Sequence, residues 1–77
     1  MEKFPLLDRD PEILGGKPII KGTRISISII LEWMATGADA KSIHHRYPQV
    51  SEEAVGQALK YASEEMASTK MIDLTLA

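Results

Sequence analysis

Three groups of residues in this chain are of types that could do chemistry. The first is the stretch GGKPIIKGTR, Gly15 to Arg24, which gathers three of the five glycines and three basic residues with no acid. Glycine beside lysine suggests a phosphate cradle, but such a loop needs a glycine, four residues and then Gly-Lys-Ser/Thr opening a helix. Five residues after Gly15 stands Ile20, five after Gly16 stands Lys21, and Gly22 leads into Thr23-Arg24. The spacing fails, and Pro18 with a strand-like run stands where the loop should be. These glycines are read as turn formers. The second group is His44 and His45. Neighbours on a helix point about 100° apart, so the two do not share one ion, and no third ligand stands at a suitable spacing. The third comprises the serines and carboxylates. Ser28 and Ser51 stand where helix caps are wanted, Glu52 and Glu53 open a helix, and the other acids are scattered. No nucleophile, base and orienter form a set. A non-enzyme with no cofactor, no metal and no small-molecule substrate is the expectation.

The cations point to binding instead. Residues 1–50 hold seven Lys/Arg against six Asp/Glu, whereas residues 51–77 hold two against five. The positive charge therefore sits in the first two-thirds, and its density suits a modest basic patch. Lys17, Arg24, Lys41, His44 and Arg46 are the candidate phosphate contacts for duplex DNA, with Gln57 and Lys60 nearest the bases. Against this, Ser51-Glu52-Glu53 opens the helix that would meet the groove, and acids there repel phosphate.

Elements must position these residues. MEKFPLLDRDPEI has two prolines and no sustained period, so an extended arm over 1–14 is predicted, anchored by Phe4, Leu6 and Leu7. A β-hairpin over 15–27 follows, with Lys21-Gly22 as its turn. That register pairs Ile20 with Thr23, Ile19 with Arg24 and Pro18 with Ile25. It places Pro18, Ile20, Thr23 and Ile25 inward, and Lys17, Ile19 and Arg24 outward. Three helices fill 28–66. Ser28 caps the first, whose stripe takes Ile30, Trp33 and Met34, and Gly37 ends it. Asp39 caps the second, with Ile43 and Tyr47 inward and Pro48 as its stop. Ser51 caps the third, with Val55, Ala58, Leu59, Ala62 and Met66 as its stripe. A short helix, a tight turn and a longer helix form a helix-turn-helix outline. The tail 67–77 alternates Ile72, Leu74 and Leu76 with polar residues, as a strand or a disordered end.

With 77 residues and no cysteine, one small domain without disulfides is expected, and its core buries only about 60% of the unfolded surface. Dimerisation is a natural remedy. Phe4, Leu6, Leu7, Ile19, Ile72, Leu74 and Leu76 are the candidate partner or dimer surface. The longest apolar run, ISIIL, is too short to span a membrane, and the N-terminus lacks the apolar centre of a signal peptide, so a cytoplasmic protein is expected.

Asp10 to Glu64 resembles domain-of-unknown-function family 433, a group of small prokaryotic proteins regarded as antitoxin-like. The resemblance is carried by GGKPxIxGTRI at Gly15 to Ile25, by Gly37, by Tyr47-Pro48 and by the Ala58 to Ala62 segment. It implies a mainly α, homeodomain-like three-helix domain preceded by a β-hairpin, often dimeric. It also implies an antitoxin that neutralises a PIN-like ribonuclease toxin and binds its own operator, and it brings no catalytic residues. The alternative is a protein-interaction or dimerisation module with no nucleic-acid contact.

Overall fold

Two short strands, with a single 3-10 turn at Leu14–Gly16 between them, and three α-helices arise in chain order in the computed structural model, which describes residues 1–68. Strand β1, Leu7–Asp8, pairs antiparallel with β2, Ile19–Ile20, with Leu7 opposite Ile20 and Asp8 opposite Ile19. Helices α1 (Ile27–Ala35), α2 (Ala40–Arg46) and α3 (Glu52–Ala67) follow. The domain is mainly helical, with a two-stranded antiparallel hairpin ahead of the helices, as the sequence predicts.

The hairpin departs from the predicted register. Its tight turn is where expected: Thr23 donates its N–H to the Ile20 carbonyl at 3.0 Å, and Gly22 takes φ +80°, which a side chain resists. Beyond the turn the pairing slips by two residues. Ile19 meets Ser26 instead of Arg24, and Ile20 donates to the Ile25 carbonyl. The Thr23 hydroxyl causes the slip, donating to the Ile20 carbonyl at 2.8 Å and accepting from the Ile25 N–H at 2.9 Å. It closes a local ring that spends Thr23 and Arg24 inside the bend. The free edge of β2 is taken by β1, so the arm is a pairing partner as well as an anchor. Ile19 and Ile20, on opposite faces, are therefore both buried, and the predicted outward Ile19 is corrected.

Each helix start follows from a hydroxyl or carboxylate cap. Ser26, not Ser28, caps α1: it leaves its bridge to Ile19 in extended backbone, and its hydroxyl accepts from the Ile29 N–H. Gly37 at φ +111° ends α1, donating to Met34, while Ala38 donates to Trp33. This paired closure satisfies the last carbonyls of the helix. Asp39 and Ser42 cap α2 reciprocally, and Ser51 accepts from the Ala54 N–H at α3.

The core joins Phe4 and Leu7 of the arm, Ile20, Ile27 and Ile30, Ile43, Val50, and Ala54, Val55 and Ala58 of α3. α3 packs on α1, α2 and β1. Its inward face is rotated from the predicted stripe: Ala54 and Tyr61 turn in with Val55 and Ala58, while Leu59 (41% exposed) and Met66 (62%) face out. The arm sets that rotation. Phe4 packs edge-on against Tyr61, ring centres 5.8 Å apart, and draws that side of α3 inward.

Candidate functional site

The α2–turn–α3 unit is held rigidly. In Asp39-Ala40-Lys41-Ser42, the Asp39 carboxylate accepts from the Ser42 N–H at 2.8 Å while the Ser42 hydroxyl accepts from the Asp39 N–H. The Ser42 backbone N–H, donated to the carboxylate, holds the Asp39 carboxyl below its ordinary value. Between the helices, Val50 is fully buried and donates to the Tyr47 carbonyl. His44 Nδ1 lies 2.8 Å from the Val50 carbonyl; a carbonyl only accepts, so this nitrogen carries the proton. His44 thus ties α2 to the turn, a structural role that replaces the predicted phosphate contact through this nitrogen.

The third helix presents different sides to different neighbours. On one side Gln57, Tyr61 and Glu64 recur at steps of four and three and hold the arm. Gln57 Oε1 accepts from the Leu6 N–H at 2.8 Å, Tyr61 OH from Arg9 Nη2 at 2.6 Å, and Glu64 Oε1 pairs with Lys3 Nζ at 2.8 Å. Gln57, a candidate in the sequence for contact with DNA bases, clasps the backbone of the arm through its Oε1. Its 51-residue separation from Leu6 leaves no local signal of that partner. The solvent side carries Glu52, Glu53, Gly56, Lys60 and Ser63, two acids against one base.

The remaining predicted residues divide clearly. Lys17, Arg24, Lys41, Arg46 and Lys60 are exposed and available. Phe4, Leu7 and Ile19 are buried within this chain, which removes them from any partner surface, and Leu6 is half-buried against the core. Ile72, Leu74 and Leu76 lie outside the described residues. Among the described residues, no group of three or more His, Asp or Glu side chains is arranged to hold a metal ion, and no helix is long and apolar enough to cross a membrane.

Two concavities were not predicted. An open, mostly apolar groove of about 370 Å³ lies between α1 and α3, lined by Pro18, Ile27, Leu31, Tyr61, Ala62 and Met66 together with Lys17, Ser28 and Glu65. A more polar cleft of about 410 Å³ lies between the end of α1 and α2. Its wall holds Trp33 stacked on Tyr47, centres 4.7 Å apart and planes 5° apart, and Arg46, whose guanidinium lies 5.8 Å from the Tyr47 ring centre. The sequence signal for this cleft is the Trp33–Gly37 ending of α1 followed by Arg46-Tyr47-Pro48.

The family model described as "Protein of unknown function (DUF433)" matches residues 7–62. The chain belongs to that family. The DUF433 match covers β1, β2, α1, α2 and most of α3, the elements that build both concavities. A crystal structure of a DUF433 member protein from Anabaena variabilis ATCC 29413, at 2.00 Å resolution, is similar in fold, with a TM-score of 0.71 and 25% identity. The similarity covers 77% of this chain and 58% of that one, so this DUF433 chain spans less than two thirds of that protein's length. No curated protein matches the chain.

Proposed function

We propose that this protein is a non-enzymatic, antitoxin-like binding module of the cytoplasm, which as a homodimer binds and neutralises a PIN-like ribonuclease toxin. The observation that carries the protein-binding half is the groove between α1 and α3. Met66 is 62% exposed beside Leu31 and Pro18, and small domains rarely leave a continuous apolar surface of this kind to water. The ribonuclease as partner rests on the family resemblance at Gly15 to Ile25. The test is co-expression with the product of the adjacent reading frame, followed by a ribonuclease assay of the purified pair. Met66→Glu changes an exposed position and leaves the core intact; it should release the partner and restore nuclease activity. A Met66→Glu protein that still binds and silences the partner fully would overturn the reading.

Binding to operator DNA is the second reading. It is supported by the exposed Lys17, Lys21 and Arg24 around the hairpin bend, with Lys41 and Arg46 on α2. The acidic outer side of α3 and the internal engagement of Gln57 oppose base reading by that helix. Phosphate contacts by the hairpin and α2 predict affinity for the upstream DNA that falls steeply as salt rises. A band-shift series between low and high salt that shows no binding, or binding indifferent to salt, would remove this half.

A further inference from the structure

We infer that the cleft between the end of α1 and α2 binds a phosphorylated nucleobase bearing an exocyclic amino group, with Trp33, backed by Tyr47, against the base and Arg46 on the phosphate. The inference needs neither the protein partner nor the operator. Its volume of about 410 Å³ falls within the range of sites that take one small ligand. Its chemistry comes in three parts. Trp33 and Tyr47 line it with one face of each ring on the other, which leaves the second face of Trp33 for a flat heterocycle, a kind of contact indifferent to sequence context. Arg46 lies beside the Tyr47 ring, a placement that orients a guanidinium while leaving its N–H fork free for an anion. Among the described residues no carboxylate pairs with Arg46, so its charge stands at the cleft unneutralised.

The third part sets which base. Thr36 and Ser42 also line the cleft, and each has already given its only hydroxyl proton to backbone, Thr36 to the Trp33 carbonyl at 2.9 Å and Ser42 to the Asp39 carbonyl at 3.1 Å. What remains is acceptor capacity, both lone pairs on Thr36 and one on Ser42, whose hydroxyl also accepts the Asp39 N–H at 3.0 Å. An acceptor rim of that kind favours a base edge that donates, such as the amino group of adenine, over one that presents a carbonyl. Adenylate-type ligands should therefore exceed inosinate and uridylate. The same chemistry is found in a free mononucleotide and in single-stranded nucleic acid, whose bases are open to stacking, but not in a duplex, whose bases are already stacked and paired.

The chain supplies its own reporter, because Trp33 is its single tryptophan. AMP, IMP, UMP, oligo(rA), oligo(dA) and a duplex of matched length would be titrated while Trp33 emission is followed under excitation that the bases do not absorb. Equilibrium dialysis with labelled AMP provides the second readout. Saturable quenching by AMP is expected, with IMP weaker by about tenfold, the loss of roughly one neutral donor–acceptor match. Arg46→Gln, an exposed position whose loss should leave the melting temperature unchanged, should weaken AMP by about tenfold or more. Oligo(rA) binding more tightly than AMP, and more steeply with salt, identifies a single strand as the ligand; equal affinities identify the mononucleotide. Neither quenching nor dialysis retention with AMP or the oligomers, affinities equal for AMP and IMP, or affinities untouched in Arg46→Gln would each overturn the inference.

Discussion

Gln57 distinguishes a structural reading of α3 from a base-reading one, and replacing it tests the difference quantitatively. In the structure its Oε1 accepts the Leu6 N–H at 2.8 Å in a half-buried setting, with the Arg9–Tyr61 and Lys3–Glu64 contacts on the same side of the helix. Gln57→Met keeps the length and volume of the side chain but removes the acceptor, leaving a strand-edge N–H without its partner. An unsatisfied buried donor costs about 1–3 kcal/mol. Leu6 is only partly shielded, so water recovers some of that loss and the lower end, about 1 kcal/mol, is expected. For a domain of this size such a loss lowers the melting temperature by about 4–8 °C. Gln57→Glu retains an acceptor at the same reach and should stay near the parent at neutral pH. Thermal melts by far-ultraviolet circular dichroism, with urea midpoints alongside, measure both. A Met variant that melts with the parent, or a Glu variant that falls as far as the Met variant, would refute the clasp. A selective loss of DNA affinity in a fully stable Met variant would return Gln57 to the bases.

Further outcomes follow from individual positions. Ile30 is fully buried at the centre of α1, and Ile30→Ala should cost about 2–5 kcal/mol, enough to erase a cooperative urea transition in so small a domain. Leu14 holds φ +50° while 40% exposed, so Leu14→Asn, a residue that tolerates left-handed backbone, should raise the melting temperature by a few degrees, reflecting about 1 kcal/mol of relieved strain. The Asp39 carboxyl is held below its ordinary value by the Ser42 N–H. Its contribution is therefore present above the unfolded carboxylate range and is lost as pH falls through the lowered folded value. Asp39→Asn keeps a cap but carries no such titration, and its urea midpoint between about pH 2 and 5 should decline less than the parent's.

What could be read from the sequence was mostly what a few neighbouring residues decide among themselves. Asp39, Ser51, Gly37 and Pro48 mark helix ends because caps and breakers act within four residues. Lys21-Gly22 marks a turn for the same reason. The register beyond it was hidden, because the Thr23 hydroxyl competes with the strand ladder and β1 arrives from 12 residues upstream to take the other edge. Ser26 displaced Ser28 as a cap through its bridge to Ile19. Leu59 and Met66 face out, against their helical spacing, because the arm claims Tyr61 and Gln57 from a distance that spacing does not encode. Of the predicted contact residues, Arg46 was recognised as a cation, but its place beside the Trp33–Tyr47 stack depends on how α1 crosses α2, which periodicity does not encode.

The clasp of the arm on α3 also bears on how the chain acquires its structure. Lys3 and Glu64 are 61 positions apart, Arg9 and Tyr61 52, and Leu6 and Gln57 51, so the arm, which can pair with β2 early, gains these clasp contacts only when the last helix is in place. Three helices joined by short turns would otherwise assemble from local contacts and close quickly. Here a late loop closure is laid over that fast scheme. Until residues 54–64 are in place Phe4 lacks the Tyr61 ring and Leu6 lacks Gln57, and the same closure makes the arm the segment whose detachment would first open the core.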